Sequence, residues 1–79
     1  MQEIEEFETD DIYLSSYLKI SGCTMERRRR LGNKVIFIFT NIGGSIKDLR
    51  EAYYMGKARV DPHAFATATV SMKKLCFET

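Results

Sequence analysis

The residues of this chain best suited to binding an anion are five clustered cations, Arg27, Arg28, Arg29, Arg30 and Lys34. Guanidinium and ammonium groups donate hydrogen bonds to phosphate oxygens, so a basic run is an elementary signature of nucleic-acid or anion binding. Side chains alternate along a strand, so the first and third arginines would face one way and the second and fourth the other. A projecting hairpin would still be positive on both faces and could follow a phosphate backbone. These five residues form the candidate anion site.

An acidic segment at the N-terminus offers these cations a partner within the same chain. Six of the eleven acidic residues lie in the first eleven positions. Residues 12–79 therefore hold all twelve Lys and Arg against five Asp and Glu, a net charge of +7 beneath a formal total of +1. The arginine run then either binds an external anion, or pairs with the acidic segment and discourages edge-to-edge strand association. We rank self-pairing first, because a lone basic run without a recognised binding module is weak evidence for nucleic-acid binding.

The sequence lacks the residue patterns that catalysis and metal binding need. The single histidine, His63, follows a proline and has no partner in sequence that would make it a general base. Cys23 and Cys76 form no C-x-x-C pair, and a structural zinc site needs four ligands. The glycines of residues 41–45 fit neither phosphate-loop nor dinucleotide-loop spacing. We predict a protein that is not an enzyme, with no cofactor, no metal, and two free thiols typical of a reducing compartment.

The elements that must position the cations follow from apolar periodicity and capping residues. A first helix is predicted over residues 10–21, with capping oxygens at its start and Gly22 as its stop. A hairpin follows, with its turn at residues 31–33 and a second strand at residues 34–40.

Two further helices complete the predicted order. Ser45 begins one helix, whose buried stripe includes Tyr53 and Tyr54, and Asp61 with Pro62 begins the other. The fold class is therefore α+β, a small antiparallel sheet of two or three strands packed with three helices. We expect one domain over residues 1–79, in which residues 1–8 are either an edge strand or a frayed end.

The second hairpin strand provides the main argument for a partner. Its Val35, Phe37 and Phe39 face one way, while Ile36 and Ile38 face the other, so both faces must be covered. Ile36 and Ile38 would meet either a second copy of the chain or a helix folded across them. We therefore predict a homodimer or a protein partner.

The chain begins with acids where a secretory signal has a basic start, and its longest apolar run is far shorter than a membrane span. We accordingly expect a cytoplasmic protein with no membrane association. The favoured function is a non-catalytic interaction module that self-associates or docks on a protein. The alternative is a nucleic-acid or nucleotide-binding accessory protein that uses the arginine hairpin.

Short motifs spread over nearly the whole chain support a family resemblance. They are Phe7-x-Thr9-x-Asp11-x-Tyr13-Leu14, Val35-x-Phe37-x-Phe39, Leu49-x-x-x-Tyr53, Val60-Asp61-Pro62-x-x-Phe65 and Met72-Lys73-Lys74-Leu75. In these the chain resembles a family of short bacterial and phage-borne proteins catalogued as a domain of unknown function. The resemblance implies no activity, cofactor or catalytic residue.

Overall fold

The predicted order of elements is confirmed by the computed structural model, which describes residues 4–42 and 45–77. The elements are β1 (Ile4–Thr9), α1 (Ile12–Ile20), β2 (Thr24–Leu31), β3 (Lys34–Ile42), α2 (Ser45–Tyr54) and α3 (Pro62–Phe77). Their order, β-α-β-β-α-α, gives an α+β fold with one sheet of three antiparallel strands. The first helix begins at Ile12, two residues after the predicted start, because Asp11 is its N-cap.

The sheet places the acidic segment directly beside the apolar strand. Its strand order is β1-β3-β2, so β3 is central and β1 is an edge strand. Residues 1–3 of the predicted acidic segment lie outside the described residues. Phe7 of β1 and Met25 of β2 both lie opposite Phe39. A bulge between Met25 and Arg27 inserts Glu26, and after it the pairing of β2 with β3 continues to the turn. A bulge shifts the alternation of side chains by one residue, so it decides which arginines share a face with the core.

The three helices cover one face of the sheet. Phe37 and Phe39 of β3 are fully buried there, in a cluster with side chains from all three helices. The other fully buried members are Leu14 and Leu18 of α1, Ile46 of α2 and Met72 of α3. Burying a large apolar side chain is worth about 1.5–3 kcal/mol relative to exposure, so this single layer supplies most of the stabilisation.

Two of the helix starts follow the predicted capping chemistry. Asp11 Oδ1 accepts hydrogen bonds from the Tyr13 and Leu14 amides at 2.9 and 3.1 Å. Asp61 Oδ2 accepts from the Ala64 amide at 2.8 Å. Gly22, with a φ of 99°, occupies the left-handed conformation after α1 that favours glycine.

The start of α2 is fixed from a distant part of the chain. Its Ile46 amide donates to Glu5 Oε1 of β1 at 2.8 Å. The Arg50 guanidinium of the same helix lies 4.1 Å from the centre of the Phe7 ring. The acidic strand therefore holds α2 by a carboxylate at the helix N-terminus, where negative charge is favourable, and by a cation–π contact.

Candidate binding surfaces around the basic hairpin

The hairpin distributes its arginines between two faces of the sheet, as alternation predicted. Arg27 and Arg29 lie opposite Ile38 and Ile36, on the face away from the helices. Arg28 and Arg30 lie opposite Phe37 and Val35, on the face that the helices cover. The run therefore does not form one flat basic patch, and each face has its own surroundings.

The acidic strand reaches the cations of the hairpin. Glu8 Oε1 lies 2.6 Å from Arg29 Nη2, and Asp10 Oδ2 lies 3.4 Å from Lys34 Nζ. Both pairs are largely exposed to solvent, so each contributes about 1 kcal/mol or less to stability. Their importance is geometric, since Arg29 and Lys34, both candidate anion-binding residues, already have carboxylate partners.

The Glu8–Arg29 pair crosses the central strand. Glu8 lies opposite Ile38 in β1, and Arg29 lies opposite Ile36 in β2. The two edge strands are about 10 Å apart, because each is one strand spacing from β3. A 2.6 Å contact between the tips therefore requires their stems to lie across β3.

This crossing accounts for the burial of the two isoleucines proposed for self-association. Ile38 has no exposed surface within a single chain, although it is absent from the cluster beneath the helices, and Ile36 is half-buried. Long charged side chains commonly lay their methylene stems on apolar surface while the charged ends stay in water. Stems that cross β3 in this way lie over the outer face, where we expected a second subunit or a helix, and we infer that they cover Ile38.

Two of the five hairpin cations border a cavity at the turn end of the sheet. Arg30 and Lys34 line an open space of about 460 Å³ between the hairpin, the start of α1 and the end of α3. Its other lining residues are Asp10, Ile12, Asn33, Val35, Cys76 and Phe77. Arg30 Nη2 donates to the Cys76 carbonyl at 3.2 Å, which fixes the hairpin against the last turn of α3. We call this space the hairpin cavity.

A second surface consists of tyrosines from α1 and α2. The Tyr53 ring stacks on Tyr17 at a centroid distance of 5.8 Å and meets Tyr54 edge-on at 5.4 Å. Tyr13 lies one helical turn before Tyr17 and is 50% exposed, while Tyr54 and the adjacent Met55 are 65% and 64% exposed. We call these five residues the tyrosine surface. The predicted burial of Tyr54 is wrong, whereas the rest of the predicted α2 stripe, Ile46, Leu49 and Tyr53, does pack against the core.

Charged groups border the tyrosine surface. Lys73 Nζ of α3 lies 5.9 Å from the centre of the Tyr13 ring. Burial raises the pKa of the Tyr53 hydroxyl above its ordinary 10.0, and the nearby charge of Asp11 adds to that rise. Tyr53 is therefore a neutral hydroxyl at physiological pH, able both to donate and to accept a hydrogen bond.

The single histidine and the two cysteines are the remaining candidate groups. His63 is exposed in the first turn of α3. Cys23 is a buried free thiol and Cys76 a half-buried one, and burial together with the charge of Glu5 raises the pKa of Cys23. Among residues 4–42 and 45–77, no three metal-binding side chains come together. In the same ranges no helix combines the length and the apolar character that crossing a bilayer demands.

Comparison with known proteins adds no assignment. No protein-family model, curated protein or solved structure matches this chain. The family resemblance carried by the short motifs therefore stays a prediction, and a function has to be argued from the two surfaces just described.

Proposed function

We propose that the protein is a non-catalytic interaction module that docks on a partner protein through the tyrosine surface. The observation that carries the proposal is the exposure of Tyr54 and Met55, both near 65%, beside the half-exposed Tyr13. Tyrosine and methionine are enriched at protein interfaces, and a few aromatic anchors supply most of the binding energy. The stacked Tyr17 and Tyr53 hold this surface in one shape before a partner arrives.

The outer face of the sheet suits a partner less well. Ile38 on this face is already buried, and the same face carries the charged Glu8–Arg29 pair. A second chain that covered this face would have to remove both charges from water, which costs more than their mutual attraction returns unless the geometry is excellent. We therefore place docking on the helical side, and not on Ile36 and Ile38.

Nucleic-acid binding by the hairpin ranks second. A strand that follows a phosphate backbone needs several free cations on one face, and here Arg29 and Lys34 are paired with carboxylates. The arginines on opposite faces of β2 cannot meet one backbone segment together.

The surroundings of the tyrosine surface indicate the kind of partner. An apolar segment would fill the space beside Tyr54 and Met55, and the hydroxyls would satisfy its polar groups. Lys73 beside Tyr13 favours a partner that carries a carboxylate at that edge.

Affinity purification of the intact chain from its native cells, followed by quantitative mass spectrometry, tests the proposal. A variant with Tyr54→Ser and Met55→Ser should lose at least about tenfold of the specific partner signal, which corresponds to ~1.4 kcal/mol. The matched control is Val70→Ser, because Val70 of α3 is 55% exposed but does not belong to the tyrosine surface. Equal retention by both variants, or equal loss from both when circular dichroism shows them folded, would contradict docking at this surface.

A further inference from the structure

The hairpin cavity has the combination of groups that small phosphorylated aromatics require. It measures about 460 Å³, and small-molecule sites are typically about 300–1,000 Å³. Arg30 and Lys34 supply two cations at its wall. An arginine presents a planar fork of donors that matches phosphate oxygens, while a lysine adds a compact charge.

The same cavity offers a ring surface and an apolar wall. Phe77 is 87% exposed. Ile12 and Val35 provide an apolar lining nearby. An exposed phenyl ring beside two cations is the arrangement on which planar bases stack while their phosphates are bound.

We infer that the hairpin cavity binds a small molecule in which one phosphate group is joined to a planar ring, of the size of a nucleoside monophosphate. Arg30 and Lys34 hold the phosphate, and the ring stacks on Phe77. Only two of the five hairpin cations line the cavity, so the site suits a single phosphate and not a continuous backbone.

Asp10 sets the charge balance of this site. Its carboxylate lies 3.4 Å from Lys34 and also lines the cavity. A phosphate must therefore share Lys34 with Asp10, which weakens the binding of inorganic phosphate alone. The ring then contributes a decisive part of the affinity, and Asp10 can accept a hydrogen bond from an amino group on that ring.

Amide chemical shifts of the intact, ¹⁵N-labelled chain at low salt test the inference. Adenosine monophosphate should give saturable shifts at Arg30, Asn33 and Lys34. Inorganic phosphate and adenosine should each bind at least about tenfold more weakly than adenosine monophosphate does. An oligonucleotide with a terminal phosphate, compared with the same strand lacking it, distinguishes a free nucleotide from a strand end as the source of the ligand.

Three variants and a matched control complete the test. Arg30→Gln should weaken the binding of adenosine monophosphate at least about tenfold. Phe77→Ala should reduce the affinity for adenosine monophosphate to that for inorganic phosphate, and Asp10→Asn should increase the affinity for adenosine monophosphate. The control is Arg27→Gln, because Arg27 is on the same strand but faces away from the cavity. Absence of saturable shifts, or equal weakening by Arg27→Gln and Arg30→Gln, would overturn the inference. The site uses none of the tyrosine-surface residues, so that outcome would leave the docking proposal standing.

Discussion

Replacing Ile38 by alanine probes how the outer face of the sheet is covered. Ile38 has no exposed surface within one chain, and removing a fully buried isoleucine side chain down to alanine costs ~2–5 kcal/mol. Ile36 on the same face is half-buried, so its replacement should cost about half as much, ~1–2 kcal/mol. A domain of 79 residues has a free energy of unfolding of about 4–12 kcal/mol. The loss in the Ile38→Ala variant should thus be a large and measurable share of the total stability.

Urea unfolding followed by far-ultraviolet circular dichroism measures this loss. The midpoint of Ile38→Ala should fall by at least about 0.7 M, since small domains lose ~1–3 kcal/mol of stability for each molar increment of urea. Ile38→Val is the matched control, with an expected cost of about 0.5–1.5 kcal/mol. Because side chains of the same chain cover Ile38, the urea midpoints should not depend on protein concentration.

Two results would refute the reasoning. One is a smaller loss for Ile38→Ala than for Ile36→Ala, which would mean that Ile38 is not the covered residue. The other is a midpoint that rises with protein concentration, as binding of a second copy requires. A hundredfold excess over the dissociation constant would stabilise the fold by about 2.7 kcal/mol.

Three further changes test the capping and titration arguments. Glu5→Gln should speed hydrogen exchange of the Ile46 amide, which donates to that carboxylate, while exchange in α3 stays unchanged. Asp61→Ala removes the α3 cap and should lower the free energy of unfolding by ~1 kcal/mol in thermal denaturation; no loss would show the cap to be unimportant. The pKa values of Cys23 and Tyr53 are raised above 9.0 and 10.0. Below those values the two groups leave the free energy of unfolding unchanged, and it should fall as pH rises from them through the raised pKa values of the folded state. Denaturation between neutral and alkaline pH checks this, and Tyr53→Phe should reduce the decline.

Much of the fold was accessible from local sequence signals. Asp11, Asp61 and Pro62 mark helix starts through their own side chains or ring, so their effect lies within a few residues. The β-branched and aromatic run of β3 predicted a central strand, because a strand that is apolar on both faces needs cover on both. Alternation along β2 then separated the arginines correctly.

The rest depends on contacts between distant parts of the chain. Glu5 caps α2 across 41 positions, and no spacing rule indicates which acid approaches which helix. The Glu8–Arg29 contact requires the register of both edge strands on β3, so the sequence could suggest self-pairing but not the crossing above Ile38. The hairpin cavity forms only because the end of α3 meets Arg30. Tyr54 is exposed because of the orientation of α2 about its own axis. The apolar residues of so short a helix do not determine that orientation.

The central claim is that the acidic strand covers the outer sheet face within one chain, while the tyrosine surface stays exposed to solvent. Paramagnetic relaxation by a soluble, uncharged agent, measured on labelled isoleucine and methionine methyl groups in dilute protein, tests both halves at once. Ile38 should be as protected as Ile46, since neither has exposed surface, while Met55 should relax strongly. An Ile38 methyl that relaxes as fast as Met55 would contradict the account.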